Sequence, residues 1–226
     1  IQKYPASNTA KAAHLALAEF YILHKKYDRA VSTLNTIINK AGKEETLLLS
    51  QAYFLRGNAY EIQNQWNKAL QEYTILRDKY TDTPLGLQMS MYIAAYYARI
   101  GQEEKANTAL REAAVFYEKL ARDNKGKVIG YRALNLLRDA YLNLKEYEKA
   151  GEAVSNTIND YFSQAALVEQ LPYVDAIYVS TLKTPEKAVE IYKSIEEKTK
   201  DKKLKEILNK KIDALKSGKT GKALSK

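Results

Sequence analysis

Few residues in this 226-residue chain have the types and spacing that catalysis or metal binding requires. The two histidines, His14 and His24, would lie about three turns apart on a continuous helix, too far to share a metal ion. The tail sequence Gly218-Lys219-Thr220 resembles part of a phosphate-binding loop, but that loop needs a glycine where Asp213 stands. The absence of cysteine excludes disulfides, thiol catalysis and cysteine-bound metal centres.

The acidic residues also form no arrangement typical of acid–base catalysis. Pairs such as Glu44-Glu45, Glu103-Glu104 and Glu196-Glu197 fall near the ends of predicted helices, where solvated charge is the usual interpretation. We therefore expect a protein that is not an enzyme, with no cofactor, no metal site and no small-molecule substrate.

The net charge of +9 is concentrated near the C-terminus. Residues 198–226 contain eleven lysines and three acidic residues, whereas the remainder of the chain has 25 basic and 24 acidic side chains. The longest uncharged stretch, 83–98, has only 16 residues and includes proline and glycine, so no transmembrane helix is predicted. The chain starts at Ile1 without a signal-like segment, which suggests a trimmed or processed N-terminus.

A repeat runs along most of the chain. A basic residue followed by alanine begins an apolar-periodic segment five times, and the alanines are 39, 37, 44 and 38 residues apart. Four of the five alanines have a tyrosine nine residues earlier, and the fifth has Val179. The alanines are Ala30, Ala69, Ala106, Ala150 and Ala188, and the tyrosines are Tyr21, Tyr60, Tyr97 and Tyr141. This spacing predicts five pairs of helices joined by tight turns.

The residues between the helices support this interpretation. Gly101 suits the left-handed conformation that ends a helix, and Asn64 tolerates it. Thr83-Pro84 and Thr184-Pro185 are typical of an N-cap followed by proline at the first helical position. Because a single pair cannot bury its apolar face, neighbouring pairs must stack.

These positions resemble the tetratricopeptide repeat family. The second unit matches the family spacing most clearly, through Tyr53, Gly57, Tyr60, Trp66, Ala69 and Tyr73. The resemblance weakens toward the C-terminus, where Arg138 occupies a position that is usually small and Pro172 and Asp175 lie on a first helix. The resemblance implies an all-α, right-handed superhelical solenoid of antiparallel helix pairs.

The predicted organisation has three parts. Residues 1–200 form a helical array of about five pairs, 201–217 a capping helix, and 218–226 a mobile basic tail. The links Lys79-Tyr80-Thr81-Asp82-Thr83-Pro84 and Lys3-Tyr4-Pro5 are similar to those of repeat proteins in the bacterial envelope. This likeness implies a periplasmic or envelope-associated location, with a cytoplasmic one as the alternative.

The resemblance also implies a function, because such scaffolds bind a protein or peptide partner in the concave groove formed by their first helices. Phe54 and Met91 would supply apolar anchors between polar groups, which suits a peptide, a helix or an extended segment. The predicted groove residues are Glu19, Phe54, Asn58, Glu61, Met91, Arg99, Arg132, Asn135 and Asp139.

The chain has eighteen tyrosines, an unusual number that suggests stacking platforms for bases or sugars. The repeat accounts for most of them as packing residues between helices. Four others are less constrained and could face the groove: Tyr92, Tyr96, Tyr117 and Tyr173.

A second function remains open for the lysine-rich C-terminal segment. Leu204, Ile207, Leu208, Ile212 and Leu215 mark one face of its predicted helix. This face would cap the array, or it would make a basic amphipathic helix that binds nucleic acid or an anionic membrane surface. Nucleic acid is the less favoured partner, because the array itself is nearly neutral. Membrane association through an anchor before Ile1, and homo-oligomerisation, are also compatible with the sequence.

Overall fold

A computed structural model describes residues 8–217, and every regular element within that range is helical. The prediction of an all-α fold is thus confirmed for these residues. Of the described helices, none has both the length and the apolar character that crossing a bilayer requires. The helices are α1 (Asn8–Leu23), α2 (Tyr27–Lys40), α3 (Thr46–Ile62), α4 (Trp66–Lys79), α5 (Pro84–Arg99), α6 (Glu103–Asp123), α7 (Val128–Asn143), α8 (Tyr147–Asp160), α9 (Gln164–Val174), a π-helical segment (Asp175–Thr181), α10 (Pro185–Lys198) and α11 (Lys202–Lys216).

The chain divides into two compact units, Ile1–Ala109 and Leu110–Lys226, and the division falls within α6. In unit 1, each of the helices α1 to α4 packs against the next helix, and α3 also contacts both α1 and α5. In unit 2, α7 packs against α8, α8 against α9, and α10 against α11. The predicted capping helix corresponds in position to α11, and the predicted mobile tail lies outside the described residues.

The turn between the two helices of each pair contains the same backbone feature five times. One residue adopts a left-handed conformation, with φ between 56° and 73°, five positions before each repeat alanine. These residues are Lys25, Asn64, Gly101, Lys145 and Lys183. In the first four turns the next residue donates its backbone N–H to the carbonyl of the repeat tyrosine, at 2.8–2.9 Å. The prediction for Asn64 and Gly101 is confirmed, and this hydrogen bond is the one that closes a Schellman motif.

The basic residue before each alanine also has a structural role. It lies over the repeat tyrosine in the first four pairs, with its charged group 5.4–5.9 Å from the ring centroid. We call this contact the tyrosine clasp; its pairs are Tyr21–Arg29, Tyr60–Lys68, Tyr97–Lys105 and Tyr141–Lys149. The alanine that follows is at most 4% exposed in all five pairs. The clasp therefore explains why the basic residue, the alanine and the tyrosine recur together.

The left-handed turns predict different changes in the free energy of unfolding for substitutions at Gly101 and at Lys145. Gly101→Ala should lower the free energy of unfolding by about 1 kcal/mol, because alanine strains at φ +73° although no atom lies within 4 Å of its Cβ. Lys145→Gly, at the equivalent turn, should change that free energy by less than about 0.5 kcal/mol, since relieved strain offsets added chain entropy. Urea denaturation of both variants tests this, and equal losses would contradict it.

Both helices with a predicted Thr-Pro start begin at that proline, but only one has a side-chain cap. The Thr83 hydroxyl accepts the backbone N–H of Gly86 at 3.1 Å, so Thr83 is the N-cap of α5 as predicted. Thr184 is also the N-cap residue of α10, with Pro185 first in the helix as predicted, but its side chain makes no cap and its buried hydroxyl has no hydrogen-bond partner among the described residues. Proline at the start of α10 is therefore not accompanied by a side-chain cap.

Gly86 also marks a very close approach between α4 and α5. A Cβ atom at this position would lie 2.0 Å from the carbonyl oxygen of Tyr80 and 2.7 Å from that of Leu76. A Cβ atom at Gly130, the third residue of α7, would likewise lie 2.2 Å from the carbonyl oxygen of Asn124. In both places the end of a second helix rests on the start of the next first helix, and only glycine leaves the space.

Candidate functional site

In unit 1, side chains of α4 and α5 surround one carboxylate, that of the predicted groove residue Glu61 on α3. Its Oε2 accepts the hydroxyls of Tyr73 and Tyr92 at 2.9 and 3.0 Å, and its Oε1 pairs with Arg99 Nη2 at 2.5 Å. The Glu61 side chain is only 12% exposed, whereas that of Arg99 is 60% exposed. The structure thus brings Glu61 and Arg99 together, and the carboxylate holds one end of a guanidinium that faces solvent.

The charge state of this cluster is fixed by its surroundings. Burial is the main cause that raises the pKa of Tyr73 and of Tyr92, and the neighbouring Glu61 carboxylate adds to both shifts. The hydrogen bond to Glu61 raises the pKa of Arg99. Both phenols are therefore hydrogen-bond donors at neutral pH, and the ion pair is complete.

Of the other predicted residues of unit 1, Phe54 contacts this cluster. Phe54 is half-buried, with its ring centroid 6.1 Å from those of Tyr73 and Tyr92. Asn58 and Met91 are half-buried on α3 and α5, and Glu19 is exposed on α1. Phe54 thus packs partly into the core of the unit instead of standing free as an anchor.

The structure defines the surroundings of the four unassigned tyrosines. Tyr92 binds Glu61, Tyr96 stacks on Trp66 with a ring-centroid distance of 3.3 Å, and Tyr173 lies beneath the guanidinium of Arg138 at 3.4 Å. The prediction that Tyr117 could face a groove is wrong, because its side chain is fully buried in α6.

In unit 2, a buried arginine organises the predicted groove residues of α7. Arg138 is 3% exposed, and its Nε and Nη2 both reach Asp139 Oδ1, at 2.9 and 2.8 Å. Its Nη1 donates to Asn135 Oδ1 at 2.8 Å and to Gln170 Oε1 of α9 at 3.1 Å. Gln170, which is fully buried, donates to the same Asn135 oxygen at 3.1 Å. We call these four residues the Arg138 network; Arg132, also predicted, is exposed one turn before it.

The sequence had only a partial signal for this network. Arg138 was noticeable as a large basic residue at a position that is usually small, but nothing indicated that it is buried. Gln170 was not identified at all, because a polar residue on a first helix is ordinarily solvent-exposed. Burying a guanidinium is costly unless its donors are satisfied, which is why Asn135, Asp139 and Gln170 converge on it.

A separate cavity of about 600 Å³ lies between α6, α7 and α8. Its floor includes Leu134 and Leu137, and its rim carries charges of both signs, among them the ion pair of Lys125 and Asp160 at 2.8 Å. The mixed rim gives the cavity no preference for an anion or a cation.

The histidines take part in local contacts. Nδ1 of His14 lies 2.7 Å from the Ala10 carbonyl oxygen, and Nδ1 of His24 lies 2.8 Å from that of Phe20. Within residues 8–217, no group of histidine and acidic side chains is arranged to hold a metal ion.

The apolar face of α11 is not available to a membrane in this structure. Leu204, Leu208, Ile212 and Leu215 are at most 7% exposed and belong to the core of unit 2. Ile207, which was predicted on the same face, is 48% exposed and lies beside it among lysines. The predicted alternative of an amphipathic helix in a bilayer would therefore require α11 to leave the core.

No protein-family model matches the chain, and a search of curated proteins finds no match either.

Proposed function

We propose that this chain is a non-catalytic protein-interaction scaffold built as a tetratricopeptide-like, right-handed superhelical solenoid. In this proposal the first helix of each pair presents residues that bind a peptide or an extended segment of a partner protein. Support comes from the five left-handed turns and from the tyrosine clasps, which recur at the same intervals as the sequence repeat. A location in the bacterial envelope belongs to the same proposal and rests only on the inter-repeat links.

The Arg138 network is the single observation that carries the binding function. Asn135 and Asp139 are groove residues that remain partly exposed, yet buried Arg138 and Gln170 hold both in one orientation. A surface whose polar side chains are already fixed loses less conformational entropy on binding than a flexible one. In unit 1, the hydrogen bond from Arg99 to Glu61 similarly restricts an exposed guanidinium.

A display selection tests this function with random peptides in place of a natural partner. We expect a random twelve-residue peptide library, selected against the whole chain, to give peptides with dissociation constants of about 10 μM or below. Asn58→Ala or Arg132→Ala should weaken the selected peptides about tenfold, because each removes a groove side chain without opening the core. Gln71→Ala, on an exposed face of the second helix α4, is the matched control.

The same selection separates this function from binding through the lysine-rich segment. Groove binding should persist in about 0.5 M salt, whereas binding through exposed lysines should fall steeply as salt rises. Lys202→Gln, Lys203→Gln and Lys210→Gln test the segment better than its deletion, because deletion would remove core residues of α11. A library that yields no peptide, or only peptides lost in salt, would overturn the proposed function.

A further inference from the structure

The aromatic rings of unit 1 form a continuous row around Trp66, the only tryptophan in the chain. Its indole stacks on the ring of Tyr96, and both side chains are partly exposed. The ring centroid of Tyr73 lies 6.0 Å from that of Trp66, and Tyr73 is fully buried. We call these three residues the aromatic row. It connects a stacked pair that a molecule in solution can reach to a phenol that it cannot.

The buried end of the aromatic row has a proton acceptor in place. In a chain without cysteine, tryptophan and tyrosine are the side chains that lose a single electron most easily. A phenol that loses an electron becomes a strong acid, so its oxidised state persists only if the proton leaves as well. The hydroxyl of Tyr73 donates to Glu61 Oε2 at 2.9 Å, a distance that suits proton transfer to a base. Tyr73 can therefore give up an electron and a proton together inside the core.

The two other tyrosines beside Trp66 each lie next to a cation. The guanidinium of Arg99 is 5.3 Å from the ring centroid of Tyr96. The ammonium group of Lys105 is 5.7 Å from that of Tyr97, whose ring lies 5.6 Å from Trp66. A positive charge near a ring opposes the loss of an electron from it. Neither tyrosine is therefore as favourable a place for the oxidised state as a phenol that faces a carboxylate.

The contacts of Trp66 make it an intermediate and not the end point of an oxidation. Its indole N–H donates to the hydroxyl of Tyr97 at 3.1 Å. A neutral phenol is a weak base, so the indole keeps its proton when it loses an electron and stays a strong oxidant. Tyr73, whose proton has a carboxylate acceptor, is then the electron donor beside it.

We infer that unit 1 carries out one-electron transfer along the aromatic row, from Tyr73 to oxidised Trp66. An oxygen-centred radical in solution first takes one electron from the stacked pair and is reduced to its anion. Tyr73 then gives one electron to Trp66 and its phenolic proton to Glu61 Oε2. The products are a Tyr73 phenoxyl radical, a neutral Glu61 carboxyl group and reduced Trp66. This activity goes beyond the proposed function and needs no partner protein.

Pulse radiolysis of the whole chain in azide solution tests this transfer. The azidyl radical takes an electron from indole faster than from phenol, so oxidation begins at Trp66. We expect the absorbance of the indole radical to decay while that of a phenoxyl radical grows, at a rate that does not depend on protein concentration. Tyr73→Phe and Glu61→Gln should each slow the conversion at least about tenfold, since one lacks the electron donor and the other offers a much weaker base.

Tyr53→Phe is the matched control, because Tyr53 is a half-buried tyrosine of the same core that is not part of the aromatic row. Its conversion rate should equal that of the parent protein. Glu61→Gln keeps the size of its side chain, so it remains informative if Tyr73→Phe loosens the core. No conversion in the parent, or conversion at the parent rate in either variant, would overturn the inference. Loss of the conversion in Tyr97→Phe would also overturn it, because the oxidised state would then end at Tyr97.

The same transfer predicts how much lasting oxidation Trp66 suffers. Because Tyr73 returns Trp66 to its reduced form, a steady source of peroxyl radicals should leave several-fold less oxidised Trp66 in the parent protein than in Tyr73→Phe. Mass spectrometry of the tryptic peptide that contains Trp66 measures this difference, again with Tyr53→Phe as the control. Equal oxidation of Trp66 in the parent and in Tyr73→Phe would contradict electron transfer from Tyr73.

Discussion

Gly86→Ala is expected to lower the free energy of unfolding by about 3 kcal/mol, because the new methyl group has no space between α4 and α5. The added Cβ would lie 2.0 Å from the carbonyl oxygen of Tyr80 and 2.7 Å from that of Leu76. Both are backbone atoms at the end of α4, so relief requires the helices to separate. That separation would also pull the Gly86 N–H away from its cap, the Thr83 hydroxyl. Urea denaturation followed by circular dichroism measures the loss.

Two further glycines provide controls for this prediction. Gly42→Ala meets only the flexible Glu44 carboxylate and should change the free energy of unfolding by less than about 0.5 kcal/mol. Gly130→Ala should repeat the large loss in unit 2, because its Cβ would lie 2.2 Å from the Asn124 carbonyl oxygen. If the Gly86→Ala variant unfolds at the same urea concentration as the parent protein, α4 and α5 do not approach each other this closely.

Asp175→Ala is expected to lower the free energy of unfolding by about 2 kcal/mol, because it leaves a partly buried ammonium group without its counter-charge. Asp175 Oδ2 accepts from Lys211 Nζ at 2.5 Å, and Oδ1 accepts the hydroxyl of Tyr192. The two charged side chains are only 16% and 19% exposed. Since Lys211 belongs to α11, the substitution should loosen α11 from the π-helical segment and lower the thermal midpoint of unit 2.

The neighbouring lysine supplies the matched control. Lys210→Met changes an exposed side chain and should leave the thermal midpoint unchanged. Lys211→Met keeps the packing and leaves Asp175 with Tyr192, so its cost should stay near about 1 kcal/mol. Equal thermal midpoints for the Asp175→Ala and Lys210→Met variants would show that the ion pair does not hold α11 in place.

The sequence predicted the helix pairs well because their pattern is local. A tyrosine, a basic residue and an alanine at fixed spacing depend only on the two helices of one pair, and the structure explains all three through the tyrosine clasp and the buried alanine. The left-handed turn at Gly101 was also predictable, since glycine adopts that conformation without steric cost.

Other features depend on residues far apart in the sequence and were missed for that reason. Lysine has no preference for a left-handed conformation, so the repeat spacing predicts turns at Lys25 and Lys145 but not the left-handed backbone that the structure shows there. The need for glycine at Gly86 comes from the end of the preceding helix. Tyr117 lacked a repeat position and was predicted to be accessible, although it is fully buried.

The sequence predicted several polar residues that the structure brings into contact, but it did not predict how their side chains are held in place. The structure places Glu61 with Arg99, and Asn135 with Asp139, as residues of first helices. What the sequence lacked was burial, because nothing in its local pattern shows that Arg138 is enclosed. A polar network across α7 and α9 depends on how the two helices pack, and that information is spread over the whole unit.

The tyrosine clasp has a consequence for behaviour in acid. Ordinary salt bridges lose their attraction when the carboxylate takes up a proton, but a clasp joins a cation to an aromatic face and contains no acidic group. Arg29 over Tyr21 and Lys68 over Tyr60 therefore keep both partners as the pH falls. Contacts that need a carboxylate give way first: the hydrogen bond to Lys11 lowers the pKa of Glu45, so acidification should break that ion pair while the hairpin turns stay closed.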